Sequence, residues 1–90
     1  MPDVNKSLVT ITFYTKPGCH LCEDVAAELE AIATQWPLAV TAVDITSDLD
    51  LHRQFWDKIP VVVVGKQTLW APIHPHDLHR AIVAIAQERT

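Results

Sequence analysis

The stretch Thr15-Lys16-Pro17-Gly18-Cys19-His20-Leu21-Cys22 decides how this chain is read. Before it, Leu8 to Tyr14 (Leu-Val-Thr-Ile-Thr-Phe-Tyr) is rich in β-branched and aromatic residues. That composition predicts a strand, and apolar groups on both of its faces predict a central one. Pro17-Gly18 breaks the pattern, as such pairs do. From Cys19 to about Gln35 the period changes: Leu21, Val25, Leu29 and Ile32 recur at steps of four, four and three, which places them on one helical face. Glu23 and Asp24 then fall near the start of that helix, where negative charge suits the dipole. Pro37 limits its extension. The Cys-x-x-Cys pair therefore joins a strand to a helix.

Further along, Leu38 to Ile45 reads as a second strand, and Thr46-Ser47-Asp48 supplies capping oxygens for a short helix from about Asp48 to Trp56. Ile59-Pro60 precedes the four valines Val61 to Val64, a third strand by propensity. Gly65-Lys66 is a tight turn, and Gln67 to Trp70 returns as a hairpin partner. Leu78, Ile82 and Ile85 give helical spacing to a last segment from about Pro75 to Glu88, with Pro75 suited to its first turn. The order β-α-β-α-β-β-α predicts an α/β fold: a four-stranded mixed sheet flanked by three helices, as a single domain over residues 1–90.

Composition narrows the function classes. Apolar residues make up 49% of the chain, charged residues 20%, and there are only two glycines, which is the profile of a folded globule. A net charge of −4 argues against nucleic acid as a partner, which would need a basic face. No apolar run approaches the roughly 18 residues of a membrane span. Met1 to Ser7 is polar and does not read as a signal peptide. The expected location is the cytoplasm, where structural disulfides are rare. Two cysteines three positions apart would also make a weak staple.

Three uses of the pair remain: a redox couple, half of a zinc site, or purely structural thiols. Zinc would need a second pair of ligands, and the only candidates are His74, His76 and His79. The strand–turn–helix context favours redox chemistry, with no metal site. At the helix start Cys19 meets unpaired backbone N–H groups and the positive end of the dipole, both of which stabilise a thiolate. Cys22 lies one turn along and deeper. Cys19 is then the nucleophile that forms a mixed disulfide, and Cys22 the thiol that resolves it. Lys16 and His20 are expected to tune Cys19, holding its pKa below the ~8.5 of a model thiol.

The run Tyr14-Thr15-Lys16-Pro17-Gly18-Cys19-x-x-Cys22, together with the element order, resembles the glutaredoxins of the thioredoxin superfamily, in particular small bacterial glutaredoxin-like proteins. The resemblance implies a thioredoxin-like fold and thiol–disulfide oxidoreductase activity. It implies that Pro60 is a cis-proline beside the cysteines, and that Ile59 offers backbone hydrogen bonds to the substrate. Tyr14, Pro17 and Gly18 join them as substrate-binding candidates. It also implies glutathione as a co-substrate, with Lys16 available to the glycyl carboxylate. Here the sequence departs from the family: Trp70-Ala71-Pro72-Ile73-His74-Pro75-His76-Asp77 lacks the usual Gly-Gly pair, and its prolines remove backbone donors. That argues against glutathione and for a different disulfide partner, protein or small molecule, with an electron donor that the sequence does not identify. His20-Leu21 replaces the usual Pro-aromatic dipeptide.

A monomer with no bound cofactor is the expected state. The alternative is a metal or iron–sulfur carrier module of glutaredoxin type, which Cys22 and the missing glycines disfavour. Trp36, Trp56 and Trp70 are expected to be partly buried core, Trp70 being the one to watch. The histidine cluster is expected on the surface. Asp44 is expected to be exposed or capping, and Asp77 is a candidate cap of the last helix.

Overall fold

β1 (Val9–Thr15) lies inside a four-stranded sheet with strand order β2-β1-β3-β4, with Val9, Ile11 and Phe13 on one face and Thr10, Thr12 and Tyr14, rather than apolar residues, on the other. The structure is a computed structural model that describes residues 8–88; the Met1–Ser7 segment discussed above lies outside the described residues. β2 (Leu38–Asp44) runs parallel to β1, from Val9 opposite Leu38 to Thr15 opposite Asp44, and α1 (His20–Ala33) makes the crossover between them. β3 (Val61–Val64) is antiparallel to β1, and β4 (Gln67–Trp70) pairs back on β3. A 3₁₀ turn (Ile45–Ser47) and α2 (Leu49–Phe55) connect β2 to β3, and α3 (Pro75–Glu88) closes the chain.

The two strand faces differ in what they carry. Val9, Ile11 and Phe13 of β1 and Val62 and Val64 of β3 are buried against Cys22, Val25, Leu29 and Ile32 of α1 and Leu78, Ala81, Ile82 and Ala86 of α3. Alternation sends Thr10, Thr12, Tyr14, Val61 and Val63 to the other face. There the Tyr14 ring stacks on Phe55 of α2 with centroids 4.5 Å apart.

Local chemistry ends each element. Thr34, Gln35 and Trp36 donate backbone bonds to Ala31 and Ile32 as α1 tapers off before Pro37. Asp48 caps α2, its Oδ1 accepting from the Asp50 and Leu51 N–H groups at 2.8 and 3.2 Å. Gly65 turns the β3–β4 hairpin with φ +59°, which fits glycine at the first central position of a type II′ turn. A side chain there would also bring its Cβ to 2.8 Å from Ile85 Cδ1.

Three expectations are corrected. Leu21 does not belong to the buried stripe of α1: it is 56% exposed, and Cys22 takes its place. Spacings of 4-4-3 from Leu21 and 3-4-3 from Cys22 share their last three residues, so the phase depends on the first. Trp56 and Trp70 are 60% and 48% exposed rather than core, while Trp36 packs partly buried against the core cluster. Asp77 sits inside the first turn of α3, its N–H bonded to the His74 carbonyl, and is not the cap.

Candidate functional site

The C-terminal end of β1 delivers the chain to the cysteines through a turn. Gly18 has φ +77°, the value of the third residue of a type II turn, with Pro17 suited to the position before it. No atom lies within 4 Å of where a Gly18 Cβ would sit, so the requirement is conformational rather than steric. Cys19 is the N-cap of α1, with extended backbone (φ −95°, ψ 106°). Its carbonyl accepts the first helical bond, from Glu23 N–H at 3.0 Å. Its Sγ accepts from the Cys22 N–H at 3.1 Å, the place a Ser or Asp oxygen takes at an ordinary cap. Cys19 and Cys22 are joined in a disulfide with their Cα atoms 5.2 Å apart. The two halves of that bond live in different surroundings: Cys22 is 2% exposed within the core, whereas Cys19 is only partly buried.

β3 brings a second segment to the same end of the sheet. Tyr14 is opposite Val61, so Pro60 stands one step past the last rung, beside the exit of β1. Pro60 is fully buried, and the Ile59–Pro60 peptide is cis, as is Ala71–Pro72. Ile59 packs against the core cluster that Cys19 also touches, and its N–H is taken by the Phe55 carbonyl. The other residues singled out from the sequence lie around this centre. Lys16, Pro17 and Gly18 are exposed in the turn. His20 is almost wholly in solvent, its Nδ1 3.6 Å from Glu23 Oε2. Tyr14 is on the opposite face of the sheet, within the stack with Phe55, which in turn meets Trp70 at 6.2 Å.

A groove of about 420 Å³ opens between α1 and the segment that links β4 to α3. Leu21, Pro60, Pro72 and Ile73 line it together with Asp24 and Glu28. Sequence reasoning missed it, although Pro72 and Pro75 after Trp70 were the visible signal. Among the described residues no polar or charged side chain is buried, so none of them is a buried proton acceptor for Cys22. Asp44 acts as a cap: its Oδ1 accepts from the Thr46 hydroxyl at 2.6 Å and the Thr46 N–H at 2.8 Å. Those bonds hold its carboxyl below the ordinary 3.8. Among the described residues no group of three or more His, Cys, Asp or Glu side chains could hold a metal ion, the His74/His76/His79 cluster included. Nor, among them, is any helix long and apolar enough to cross a membrane.

The model of the family described as "Glutaredoxin-like domain (DUF836)" matches residues 10–85. The chain belongs to this family. It is similar to the Northeast Structural Genomics target protein XcR50 from X. campestris, with 27% identity over 82% of this chain and 96% of that one and a TM-score of 0.69. Two more distant structures share the fold. One is chloroplastic thioredoxin z (19% identity, TM-score 0.67, 93% of this chain and 83% of that one). The other is a malarial protein (15%, TM-score 0.58, 91% and 97%). No curated protein matches the chain significantly. A close cysteine pair in a glutaredoxin-like thioredoxin fold supports a redox-type function.

Proposed function

We infer that this glutaredoxin-like protein is a thiol–disulfide oxidoreductase working by a dithiol mechanism. In the reduced form, the Cys19 thiolate attacks one sulfur of a substrate disulfide and expels the other half as a thiolate. The Cys22 thiolate then attacks Cys19 Sγ, which closes the Cys19–Cys22 bond and releases the second half. Two electrons pass from the protein to the substrate, and a dithiol donor restores them.

The observation that carries this reading is the asymmetry of the pair. Cys19 is accessible and caps a helix, where the Cys22 N–H and the dipole favour negative charge on sulfur. Cys22 is buried one turn away, close enough to resolve but shielded from outside attack. Lys16 adds positive charge in the turn before Cys19, and Pro60 is buried at the same end of the sheet.

Turnover of a disulfide substrate by the wild type, Cys19→Ser and Cys22→Ser tests the assignment. Loss of turnover in Cys19→Ser and accumulation of a mixed disulfide in Cys22→Ser are expected. Full activity of Cys19→Ser would overturn the mechanism. A redox titration of the pair in glutathione buffers, with mass detection of adducts, gives the direction of flow. A potential near thioredoxin's ~−270 mV without a glutathione adduct points to a reductant of protein disulfides.

A further inference from the structure

The groove between α1 and the segment after β4 has a chemistry of its own. It begins at Leu21, inside the Cys-x-x-Cys motif and two residues after Cys19, and it also includes Pro60. Its walls are apolar side chains of α1, of the segment after β4 and of α3, including Val25, Ile73 and Leu78. The only charged residues lining it are Asp24 and Glu28, both acidic and one turn apart on α1. Neither makes an ion pair: among the described residues the salt bridges are His20–Glu23 and Lys58–Asp57. Glu28 is moreover partly buried, so its charge faces the groove with less water around it than a surface carboxylate has.

The groove is also poor in anion-binding groups. Pro72 and Pro75 have no N–H to offer. The nearby Ala71 N–H is already bonded to the Lys58 carbonyl, and the Ile59 N–H to Phe55. Glutathione carries two carboxylates and one ammonium, so its net charge opposes this lining. A polypeptide with a lysine or arginine close to its reacting cysteine, next to an apolar side chain, matches both the charge and the walls.

We propose that the Leu21–Asp24–Glu28–Pro72 groove selects polypeptide disulfides whose cysteine is flanked by basic and apolar residues, and disfavours glutathione disulfide. This rests on the dithiol reading above and names the substrate class of the same site. The reaction is unchanged: two protein thiols are oxidised to the Cys19–Cys22 disulfide, and the peptide disulfide is reduced to two thiols.

The test is single-turnover oxidation of the dithiothreitol-reduced protein, freed of excess reductant. The oxidants are three: a disulfide-linked peptide with Leu and Lys beside cysteine, the same peptide with Glu for Lys, and glutathione disulfide. The Lys peptide is expected to react about tenfold faster than the Glu peptide at low salt, with the ratio shrinking as salt rises. In the double variant Asp24→Asn, Glu28→Gln the ratio is expected to fall toward one, and circular dichroism checks that the variant is folded. Equal rates for the two peptides in the wild type, or glutathione disulfide as the fastest oxidant, would overturn the selectivity while leaving the dithiol mechanism standing. Failure of every disulfide to oxidise Cys19 would overturn both.

Discussion

The two faces of the sheet are covered very unequally. On one, α1 and α3 each bury four residues against Val9, Ile11, Phe13, Val62 and Val64. On the other, α2 is seven residues long and buries none; it touches the sheet through the Tyr14–Phe55–Trp70 aromatic group. Thr12 and Val63 are opposite each other on that face, with Thr41 and Thr68 flanking them in the same row and exposed. Threonine keeps the β-branched shape a strand favours while giving water a hydroxyl. The difference teaches that stability and the candidate site share one face. The thick face is the scaffold and holds Cys22, whereas the thin face is lightly anchored, and few buried contacts mean opening at low free energy.

The comparison is broken most severely from the thick side. Ile82→Ala removes a fully buried side chain from beneath α3 and is expected to cost about 2–5 kcal/mol, read as a lower urea midpoint. Phe55→Ala on the thin side deletes a half-buried ring, so its expected cost is about 1–2 kcal/mol. A loss as large as that of Ile82→Ala would mean that α2 is part of the core after all.

Asp48→Ala sharpens the contrast further. It removes the acceptor of two α2 N–H groups and is expected to cost about 1 kcal/mol, with faster amide exchange confined to α2. Exchange that quickened equally in α1 and α3 would show the two faces to be coupled. The smallest effect concerns Asp44 at the start of the 3₁₀ turn. Its bonds to Thr46 favour the carboxylate and lower its pKa below 3.8 in the folded state. The contribution is therefore fully present above about pH 4 and is lost as pH falls through the folded value. Asp44→Asn is expected to lower stability slightly near neutrality, where the carboxylate contribution is present, and to flatten the profile in that acid range.

Element order, the β3 and β4 boundaries, the α3 span and the unequal burial of the cysteine pair were legible in the sequence, because they rest on local rules. β-branching makes strands, Pro17-Gly18 and Gly65 make turns, and a Cys at a helix start meets free N–H groups whatever surrounds it. Cys19 as N-cap and Asp48 as cap are of the same kind. Tertiary structure decided what depends on distant partners. Leu21 and Cys22 compete for the same helical stripe, and only the position of the sheet turns Cys22 inward and Leu21 out to the groove. Trp56 and Trp70 look like core by residue type, yet both are exposed, Trp56 at the end of α2 and Trp70 at the end of β4. The groove itself exists because the segment after β4 packs beside α1, some fifty residues away in sequence, which brings Pro72 and Ile73 opposite Asp24 and Glu28. Propensity and spacing act over a few residues; the surroundings of the disulfide are set by contacts between elements, and no local pattern records them.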